Sequence, residues 1–135
     1  MQRSHSVLLA DDHEAFLEAV VRHLEPHFEV VGTARNGQAL LEEAVRLRPD
    51  LIVLDISMPV LNGLETAARL KAMGSPARIV FLTVHADPDY VHAAFAAGAL
   101  GYVVKSKLTS DLLTGLREAL ADRPFVSPAV TKART

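Results

Sequence analysis

The sequence predicts a doubly wound α/β domain, in which helices pack on both faces of a parallel sheet. Five short apolar stretches alternate with five amphipathic patterns along the 135 residues, and the connections between them are short. The stretches at residues 51–54 and 79–82 are apolar throughout, which is typical of strands buried on both faces. Right-handed crossovers then place helices on either side of the sheet. A chain of this length forms a single domain.

The first strand and the first helix are predicted at residues 6–10 and 14–25. The strand is apolar and ends in two acids, and the helical pattern carries one stripe of Phe, Leu and Val side chains until Pro26 ends it. Residues 28–34 predict a second strand. Because this strand is less apolar than the others, we expect it at an edge of the sheet.

A second and a third helix flank the central strand at residues 51–54. Asn36 is the predicted N-cap of the second helix, which ends at Pro49. Asn62 is the predicted N-cap of the third helix, and Glu65 follows three residues later, where a capping box requires it. Both helix starts are therefore predicted from side chains that bind backbone N–H groups.

The second half of the chain predicts two more strands and two more helices. Strands at residues 79–82 and 100–104 flank a helix at residues 87–97, and Gly98 stands where a helix end favours glycine. The last helix begins near Thr109. It contains a glycine at position 115, which costs about 1 kcal/mol relative to alanine, so packing has to stabilise this helix.

The composition excludes several classes of protein. Fourteen basic and sixteen acidic residues give a net charge of −2, which offers no electrostatic footprint for nucleic acid. The chain has no cysteine, so disulfides and thiolate metal sites are impossible, and a reducing cytosol fits this absence. The apolar stretches are far shorter than the ~20 residues of a membrane span, and early acids rule out a signal peptide. We expect a cytoplasmic protein that does not contact a membrane.

Charged and polar side chains stand at the carboxyl ends of four predicted strands. Asp11 and Asp12 follow the first strand, Asp55 follows the third, and Thr83 ends the fourth. Lys105 follows the fifth strand. Each has an ordinary explanation, since polar residues end many strands and Asp12 alone would serve as a helix N-cap. The carboxyl ends of parallel strands lie on one edge, where α/β domains bind ligands. Together these residues therefore predict a pocket.

Three carboxylates in one pocket require a cation. Two carboxylates ~4 Å apart repel by about 4 kcal/mol at an effective dielectric near 20. Oxygen donors suit Mg²⁺, which keeps several waters, and Lys105 adds a fixed positive charge. Phosphoryl transfer depends on this kind of charge neutralisation, and an aspartate can act as its nucleophile. The pattern therefore indicates phosphoryl chemistry at an aspartate.

The chain resembles the receiver domain of two-component response regulators over residues 5 to about 122. The matching motifs are Leu8-Leu9-Ala10-Asp11-Asp12, Asp55-Ile56-Ser57-Met58-Pro59-Val60-Leu61-Asn62-Gly63, Leu82-Thr83 and Ala97-Gly98-Ala99-Leu100-Gly101-Tyr102-Val103-Val104-Lys105. The resemblance implies a flavodoxin-like fold, a five-stranded parallel sheet in the order 2-1-3-4-5 with five helices. It also implies a signalling domain rather than an enzyme, one that catalyses only its own phosphorylation and dephosphorylation.

The resemblance assigns the acids to a phosphoacceptor and a metal site. Asp55 would accept the phosphoryl group. Asp12 and Asp55 would bind Mg²⁺ (or Mn²⁺) directly, together with the backbone carbonyl of Ser57, and Asp11 would act through water. The predicted cofactor is therefore this divalent cation.

The resemblance also assigns a switch. Lys105 would pair with the phosphoryl group, Thr83 would hydrogen-bond it, and the rotamer of Tyr102 would follow Thr83. Ser57 and His85 fall at two variable positions near the phosphoryl group, and for His85 a tuning role and plain loop exposure both stay open. The other five histidines have no partner spacing for a metal, so we expect them on the solvated surface.

One position departs from the commonest pattern of this family. Ser106 stands where a proline usually follows the lysine, and a non-proline cis peptide costs ~2.5–4 kcal/mol. We therefore expect a trans peptide bond between Lys105 and Ser106.

The end of the chain resembles the NarL/FixJ subclass, in which a linker and a LuxR-type DNA-binding domain follow the receiver. The run of residues 97–102 and Val126-Ser127-Pro128 carry this likeness, and no periodicity follows Pro124. We assign residues 1–122 to the receiver and 123–135 to a tail, or to the start of a linker to an output domain outside the chain. Any contact with DNA would pass through that domain. The alternative is a stand-alone receiver that acts by protein–protein contact or as a phosphorelay intermediate.

The resemblance implies a sensor histidine kinase as partner, and phosphorylation is expected to strengthen a homodimer. The predicted surface lies on the first and last helices, at residues 14–25 and 109–122. Its polar positions are Glu18, Arg22, Glu25, Asp111, Arg117 and Glu118. These positions are alternatively ordinary solvated faces, and the alanine-rich helix at residues 87–97 is a second candidate surface.

Three rival interpretations share parts of the pattern. A flavin-binding protein of the same fold needs a Ser/Thr/Gly-rich phosphate loop, where this chain has Asp11-Asp12-His13-Glu14. A haloacid-dehalogenase-type phosphatase needs an acid two residues after its nucleophile, where this chain has Ser57. A receiver that binds partners without phosphorylation is opposed only by the completeness of the predicted pocket.

Overall fold

A single parallel sheet of six strands runs through the computed structural model, which describes residues 4–132. The strands are β1 (Ser6–Ala10), β2 (Glu29–Ala34), β3 (Leu51–Leu54), β4 (Arg78–Thr83), β5 (Gly101–Val104) and β6 (Phe125–Val126). Their order is β2-β1-β3-β4-β5-β6, and every neighbouring pair is parallel. The predicted flavodoxin-like order 2-1-3-4-5 is confirmed, with one strand added beyond β5.

Helices cover both faces of this sheet. They are α1 (Glu14–Leu24), α2 (Gly37–Leu47), α3 (Gly63–Ala72), α4 (Pro88–Ala96), α5 (Leu108–Leu120) and α6 (Pro128–Lys132), with a 3₁₀ turn at Lys105–Lys107. One apolar cluster joins the sheet to α2, α3 and α4, and a second joins it to α1 and α5. Within residues 4–132, no helix combines the length and the apolar character that crossing a membrane requires.

β3 is the central element of the domain. All four of its residues are buried, and their side chains alternate between the two apolar clusters. Ile52 and Leu54 belong to one cluster, whereas Leu51 and Val53 belong to the other. This alternation follows from the two-residue period of a strand. β2, which is partly exposed, forms an edge as predicted.

The predicted helix boundaries depend on identifiable caps. The side chain of Asn36 accepts a hydrogen bond from the backbone N–H of Ala39 at 2.8 Å. Asn62 and Glu65 bind each other's backbone N–H groups, which completes the predicted capping box. Gly98 follows the end of α4 with a φ of 106°, a conformation that favours glycine. The peptide bond before Ser106 is trans, as expected.

The structure corrects the prediction of five strands and five helices. Phe125–Val126 forms β6 beside β5, and Pro128–Lys132 forms α6, so this part of the predicted tail packs on the domain. Val130 is only 2% exposed. A two-residue strand is too short to show a period, and its position depends on tertiary contacts that the sequence pattern does not contain. Whether residues 123–135 lead to an output domain stays a prediction.

Gly115 on α5 leaves the space in which Phe125 of β6 packs. A Cβ atom at Gly115 would lie 3.2 Å from the ring of Phe125 and 3.2 Å from a methyl group of Val103. Few real Cβ atoms lie so close to a neighbour, so a larger residue would push the aromatic ring away from α5. The predicted need for packing around this glycine is therefore explained by β6.

Candidate functional site

Two buried acids lie side by side at the carboxyl edge of the sheet. Asp11 and Asp55 directly follow the paired strands β1 and β3, and they are 3% and 4% exposed. Their backbone positions are fixed by the sheet, because Asp55 N donates to Ala10 O and Asp11 N donates to Ala34 O. The sheet therefore fixes the backbone of both acids next to each other, independently of the loops that follow.

Lys105 joins these two acids. Its Nζ lies 2.7 Å from Asp11 Oδ2 and 3.0 Å from Asp55 Oδ2, and 4.4 Å above the ring of Phe16. Burial lowers the pKa of Lys105, but the hydrogen bonds to the two acids outweigh it, so its pKa is raised above 10.5. The ammonium group is therefore a permanent positive charge between two carboxylates.

Two buried carboxylate oxygens remain open. Among residues 4–132, no group donates a hydrogen bond to Asp55 Oδ1 or to Asp12 Oδ1. The ring nitrogen Nδ1 of His13 lies 3.0 Å from Asp12 Oδ1 without a hydrogen-bonding geometry, and 3.1 Å from Asp11 Oδ1. A buried carboxylate oxygen without a donor is costly unless a cation or a ligand satisfies it. These open oxygens are the observation that fits a bound cation.

The donors around these oxygens suit a small divalent cation. One ligand atom from each of Asp11, Asp12, His13 and Asp55 lies within 4.8 Å of all the others. Carboxylate oxygens are the ligands that Mg²⁺ and Mn²⁺ prefer, and so few of them leave room for waters. The residues present therefore fit the predicted Mg²⁺ or Mn²⁺.

His13 and Phe16 are contacts that sequence reasoning missed. His13 is exposed, as expected, but its ring and its backbone N–H both contact Asp11. It is also the N-cap residue of α1, so the alternative explanation of Asp12 as the N-cap is wrong. Both positions belong to the start of the helix that follows the acids, and this proximity was the available signal.

The loop after β3 ends at Gly63, which packs against the backbone of Asp55. A Cβ atom on this glycine would collide with the backbone carbonyl of Asp55, so α3 begins directly against the chain that follows the acid. Ser57 is exposed in this loop, and its hydroxyl lies 2.9 Å from His85 Nε2. The structure thus places the Ser57 side chain against His85 rather than against the acids. An open depression of about 500 Å³, lined by Asp12, Ser57 and Tyr90 among others, adjoins this loop.

Thr83 and Tyr102 meet through the backbone of His85. The Tyr102 hydroxyl donates to His85 O at 2.7 Å, and His85 N donates to Thr83 Oγ1 at a long 3.5 Å. Both Thr83 and Tyr102 are fully buried. Burial is the main reason why the pKa of Tyr102 lies well above 10.0. The His85 ring stacks on Tyr90 with centroids 4.2 Å apart.

The structure therefore brings the predicted residues together in two groups. Asp11, Asp12, Asp55 and Lys105 form one cluster at the carboxyl edge of the sheet. Thr83, Tyr102 and His85 form a second group on the neighbouring strands β4 and β5 and the loop after β4. Such an arrangement offers an open acid oxygen, a fixed cation and a metal-ligand set for a phosphoryl group.

The fold and this site define a class of protein. Residues 7–117 match the family described as the response regulator receiver domain, and the chain belongs to this family. It is therefore a domain of a signalling protein and not a metabolic enzyme.

Two bacterial regulatory proteins are similar to this chain over more than 90% of its length. It is 39% identical over 132 residues to the nitrate/nitrite response regulator protein NarL of Escherichia coli K12, covering 96% of this chain and 61% of that protein. It is 32% identical to the transcriptional regulatory protein DegU of Brevibacillus brevis, covering 93% of this chain and 54% of that protein. The chain thus spans less than two thirds of the length of these relatives.

The solved structures agree with the family assignment. A two-component response regulator of the LuxR family from Aurantimonas sp. SI85-9A1 superimposes with a TM-score of 0.91 at 30% identity. The match covers 96% of this chain and 94% of that chain.

Proposed function

We propose that Asp55 accepts a phosphoryl group from a sensor histidine kinase, and that the receiver controls an output by changing conformation. One observation carries this proposal. Asp55 Oδ2 is held by Lys105, whereas Asp55 Oδ1 is buried without a hydrogen bond, so one oxygen is positioned and the other is open to react.

The reaction forms one bond and breaks one bond. Asp55 Oδ1 attacks the phosphorus of a phosphohistidine, the new P–O bond forms as the P–N bond breaks, and the imidazole leaves with the electron pair. Lys105 stays protonated throughout, because its pKa is raised, and its positive charge faces the incoming phosphoryl oxygens. Water later hydrolyses the acyl phosphate, which makes the domain the catalyst of its own dephosphorylation.

The acids supply the metal site of this reaction. Asp12, Asp55 and the backbone carbonyl of Ser57 would hold Mg²⁺ or Mn²⁺, and Asp11 would act through water. When bound by these residues, the cation would supply positive charge that offsets the negative charge of the transferring phosphoryl group. The open Oδ1 of Asp12 supports this assignment, whereas Oδ1 of Asp55 is the oxygen left to attack the phosphorus.

Thr83 and Tyr102 carry the signal away from the pocket. A phosphoryl group on Asp55 attracts the Thr83 hydroxyl, and such charge-assisted hydrogen bonds contribute about 1.5–3 kcal/mol. Movement of Thr83 disturbs His85, whose backbone binds both Thr83 and Tyr102. Complete reversal of a two-state equilibrium needs ~5.5 kcal/mol, so this relay gives a partial shift that dimerisation completes.

The output is transcription regulation through a region that follows the chain in a longer protein. The relatives' description as response and transcriptional regulators, and the fact that they are longer than this chain, support this proposal. Contact with DNA would belong to that region. A stand-alone receiver that acts on another protein is the second candidate, and the two are separated by whether the full gene product binds DNA.

Intact mass spectrometry tests the acceptor. With Mg²⁺ and acetyl phosphate, the wild-type chain should gain one phosphoryl group and Asp55→Asn should gain none, because the amide is not a nucleophile. Asp89→Asn, which changes an exposed acid at the start of α4, is the control and should be modified like wild type. EDTA should abolish the modification. A phosphorylated Asp55→Asn protein would sink the assignment.

A further inference from the structure

The outer edge of β5 is occupied by the chain's own segment 125–130. β6 pairs with β5 in parallel, with Phe125 opposite Gly101 and Val126 opposite Tyr102. Phe125 N donates to Leu100 O at 3.0 Å, and Ser127 N donates to Tyr102 O at 2.8 Å. The backbone groups of this edge are therefore satisfied from within the chain, as a buried strand edge requires.

Ser127 fixes the segment from a fully buried position. Its hydroxyl donates to Asp111 Oδ2 at 2.8 Å and accepts from Val104 N at 3.2 Å. One side chain thus joins the segment to α5 and to the end of β5. The bond to Val104 N is buried and the bond to Asp111 is partly buried, so losing the first leaves a buried backbone N–H unpaired.

Apolar contacts hold the segment on both sides of Ser127. The ring of Phe125 packs where Gly115 leaves room on α5. Val130 is 2% exposed and belongs to the same apolar cluster as Tyr102 and, on α4, Val91 and Ala94. The segment is therefore anchored by the buried residues Ser127 and Val130, and its neighbours include Tyr102, the residue proposed to switch.

Tyr102 is bound from two directions. Its backbone carbonyl accepts from Ser127 N, and its hydroxyl donates to the backbone carbonyl of His85. A change in the position of Tyr102 or of α4 alters the surroundings of Val130 and the strand against which Ser127 docks. The segment and the loop after β4 therefore both bind Tyr102 of β5, and each depends on the position of this residue.

We propose that the edge of β5 is a docking surface whose occupant is residues 125–130, and that docking of this segment and the buried position of Tyr102 stabilise each other. Coupling between two such events is reciprocal, so whatever weakens docking weakens the burial of Tyr102 by the same factor. Another partner can use this edge only after the segment leaves. The coupling gains its signalling meaning from the proposed function, but its physical basis does not depend on phosphorylation.

Fluorine NMR tests the coupling directly. The chain has two tyrosines and no tryptophan, so 3-fluorotyrosine in a Tyr90→Phe background labels Tyr102 alone, and phenylalanine keeps the ring that stacks on His85. Val130→Asp places a charge in the buried position and should undock the segment. The control Val45→Asp makes the same change on α2 at a residue that is 61% exposed.

We expect Val130→Asp to shift the Tyr102 resonance and to remove the hydrogen-exchange protection of the Ser127 amide, whereas Val45→Asp changes neither. Ser127→Ala is the milder variant for use if Val130→Asp does not fold. Loss of its side-chain bonds should speed exchange of the Val104 amide by about two- to tenfold, since one hydrogen bond contributes about 0.5–1.5 kcal/mol.

Two results would overturn the proposal. A Ser127 amide that is already unprotected in the wild-type chain would overturn the docking. An unchanged Tyr102 resonance in a variant whose segment exchanges freely would overturn the coupling. Both measurements are made without a phosphodonor, so their failure leaves the assignment of Asp55 untouched, and failure of phosphorylation leaves them valid.

Discussion

Lys105 is the counter-ion of two buried acids, and its removal isolates negative charge inside the protein. Its side chain is 12% exposed, and those of Asp11 and Asp55 are 5% and 4% exposed. Breaking a buried ion pair by removing one partner costs about 3–5 kcal/mol, because the remaining charge stays buried. The two carboxylates would then also repel each other.

Lys105→Met should therefore lower the free energy of unfolding by about 3 kcal/mol in buffer without divalent cations. Mg²⁺ should stabilise this variant more than the wild type, because the cation replaces the lost positive charge. Urea unfolding with and without Mg²⁺ measures both effects. Lys107→Met, at an exposed neighbouring position, is the control and should change stability by no more than about 0.5 kcal/mol. Equal losses in the two variants would contradict the role of Lys105.

Tyr102 makes stability depend on alkaline pH. Its pKa is raised in the folded state, mainly by burial, so the folded chain keeps the phenolic proton that the unfolded chain releases near pH 10.0. The stabilisation is fully present below that pH and is lost as the pH rises towards the folded-state pKa. Lys105, whose pKa is also raised, acts in the same direction above 10.5.

We expect the free energy of unfolding to fall above pH 10, with Tyr102 contributing up to about 1.4 kcal/mol per pH unit. Tyr102→Phe should remove this part of the slope, although it also loses the hydrogen bond to His85 O at every pH. Tyr90→Phe should keep the slope of the wild type. Urea unfolding between pH 8 and 11 measures it. Parallel slopes for all three proteins would contradict the prediction.

The sequence predicts that the acids and Lys105 lie in one pocket, but it does not predict which side-chain atoms contact each other there. Asp11, Asp55 and Lys105 each follow a strand of one parallel sheet, and the sheet alone brings such positions to one edge. The contacts of His13 and Phe16 depend on how α1 leaves β1. That angle is set by packing, and no residue pattern contains it.

Val60 is a strained element of the loop between β3 and α3. Its φ is 70°, a left-handed conformation that costs a residue with a Cβ atom roughly 1–2 kcal/mol. Leu61 N donates to Pro59 O at 2.7 Å, which closes a γ-turn centred on this residue. Because Val60 is 79% exposed, its side chain contributes little packing in return. The turn brings Asn62 to the position where it caps α3.

Val60→Gly should raise the free energy of unfolding by about 0.5–1 kcal/mol, since relief of strain exceeds the extra entropy of glycine in the unfolded chain. Val84→Gly is the matched control. Val84 is 67% exposed and has no positive φ, so glycine there should lower stability by a similar amount. Urea unfolding of both variants decides the matter, and a loss of stability in Val60→Gly would contradict the strain.

The elements themselves were predicted well where a cap or a period exists. Asn36 and Asn62 fixed two helix starts, and the two-face alternation of β3 followed from its composition. β6 and α6 were missed for a physical reason. Val130 is buried and Val126 partly buried by the particular shape of β5, α4 and α5, and six residues are too few to show that in advance.

Contacts within the chain show which charged side chains of α1 and α5 remain available for the proposed phosphorylation-strengthened homodimer. Two of the charged side chains on α5 are engaged within the chain, since Glu118 binds Arg123 in a bidentate pair and Asp111 binds Ser127. Arg117 is exposed, and within residues 4–132 its one hydrogen-bond contact is with His27 at 3.4 Å. It is therefore the cation best placed to pair with an acid of α1 across a two-fold axis.

Beryllofluoride with Mg²⁺ should increase the fraction of dimer measured by sedimentation velocity. Arg117→Glu should weaken that dimer about two- to thirtyfold, because an exposed pair contributes about 0.2–1 kcal/mol and a two-fold axis uses it twice. Arg69→Glu, at an exposed position of α3, is the control and should dimerise like the wild type. A dimer that is indifferent to Arg117 would lie on another surface. A chain that stays monomeric would contradict the proposal.

β6 also decides where the chain leaves the domain. Because it runs parallel to β5, its last residues arrive at the carboxyl edge, and Ser127 lies beside Val104, directly before Lys105. The five residues of α6 follow and span only about 7.5 Å, so in a longer protein a following region would start close to the end of the molecule where the pocket opens. Tethering over such a short distance gives an effective concentration on the order of millimolar. We therefore expect an attached region and an approaching kinase to exclude each other from the same end of the receiver.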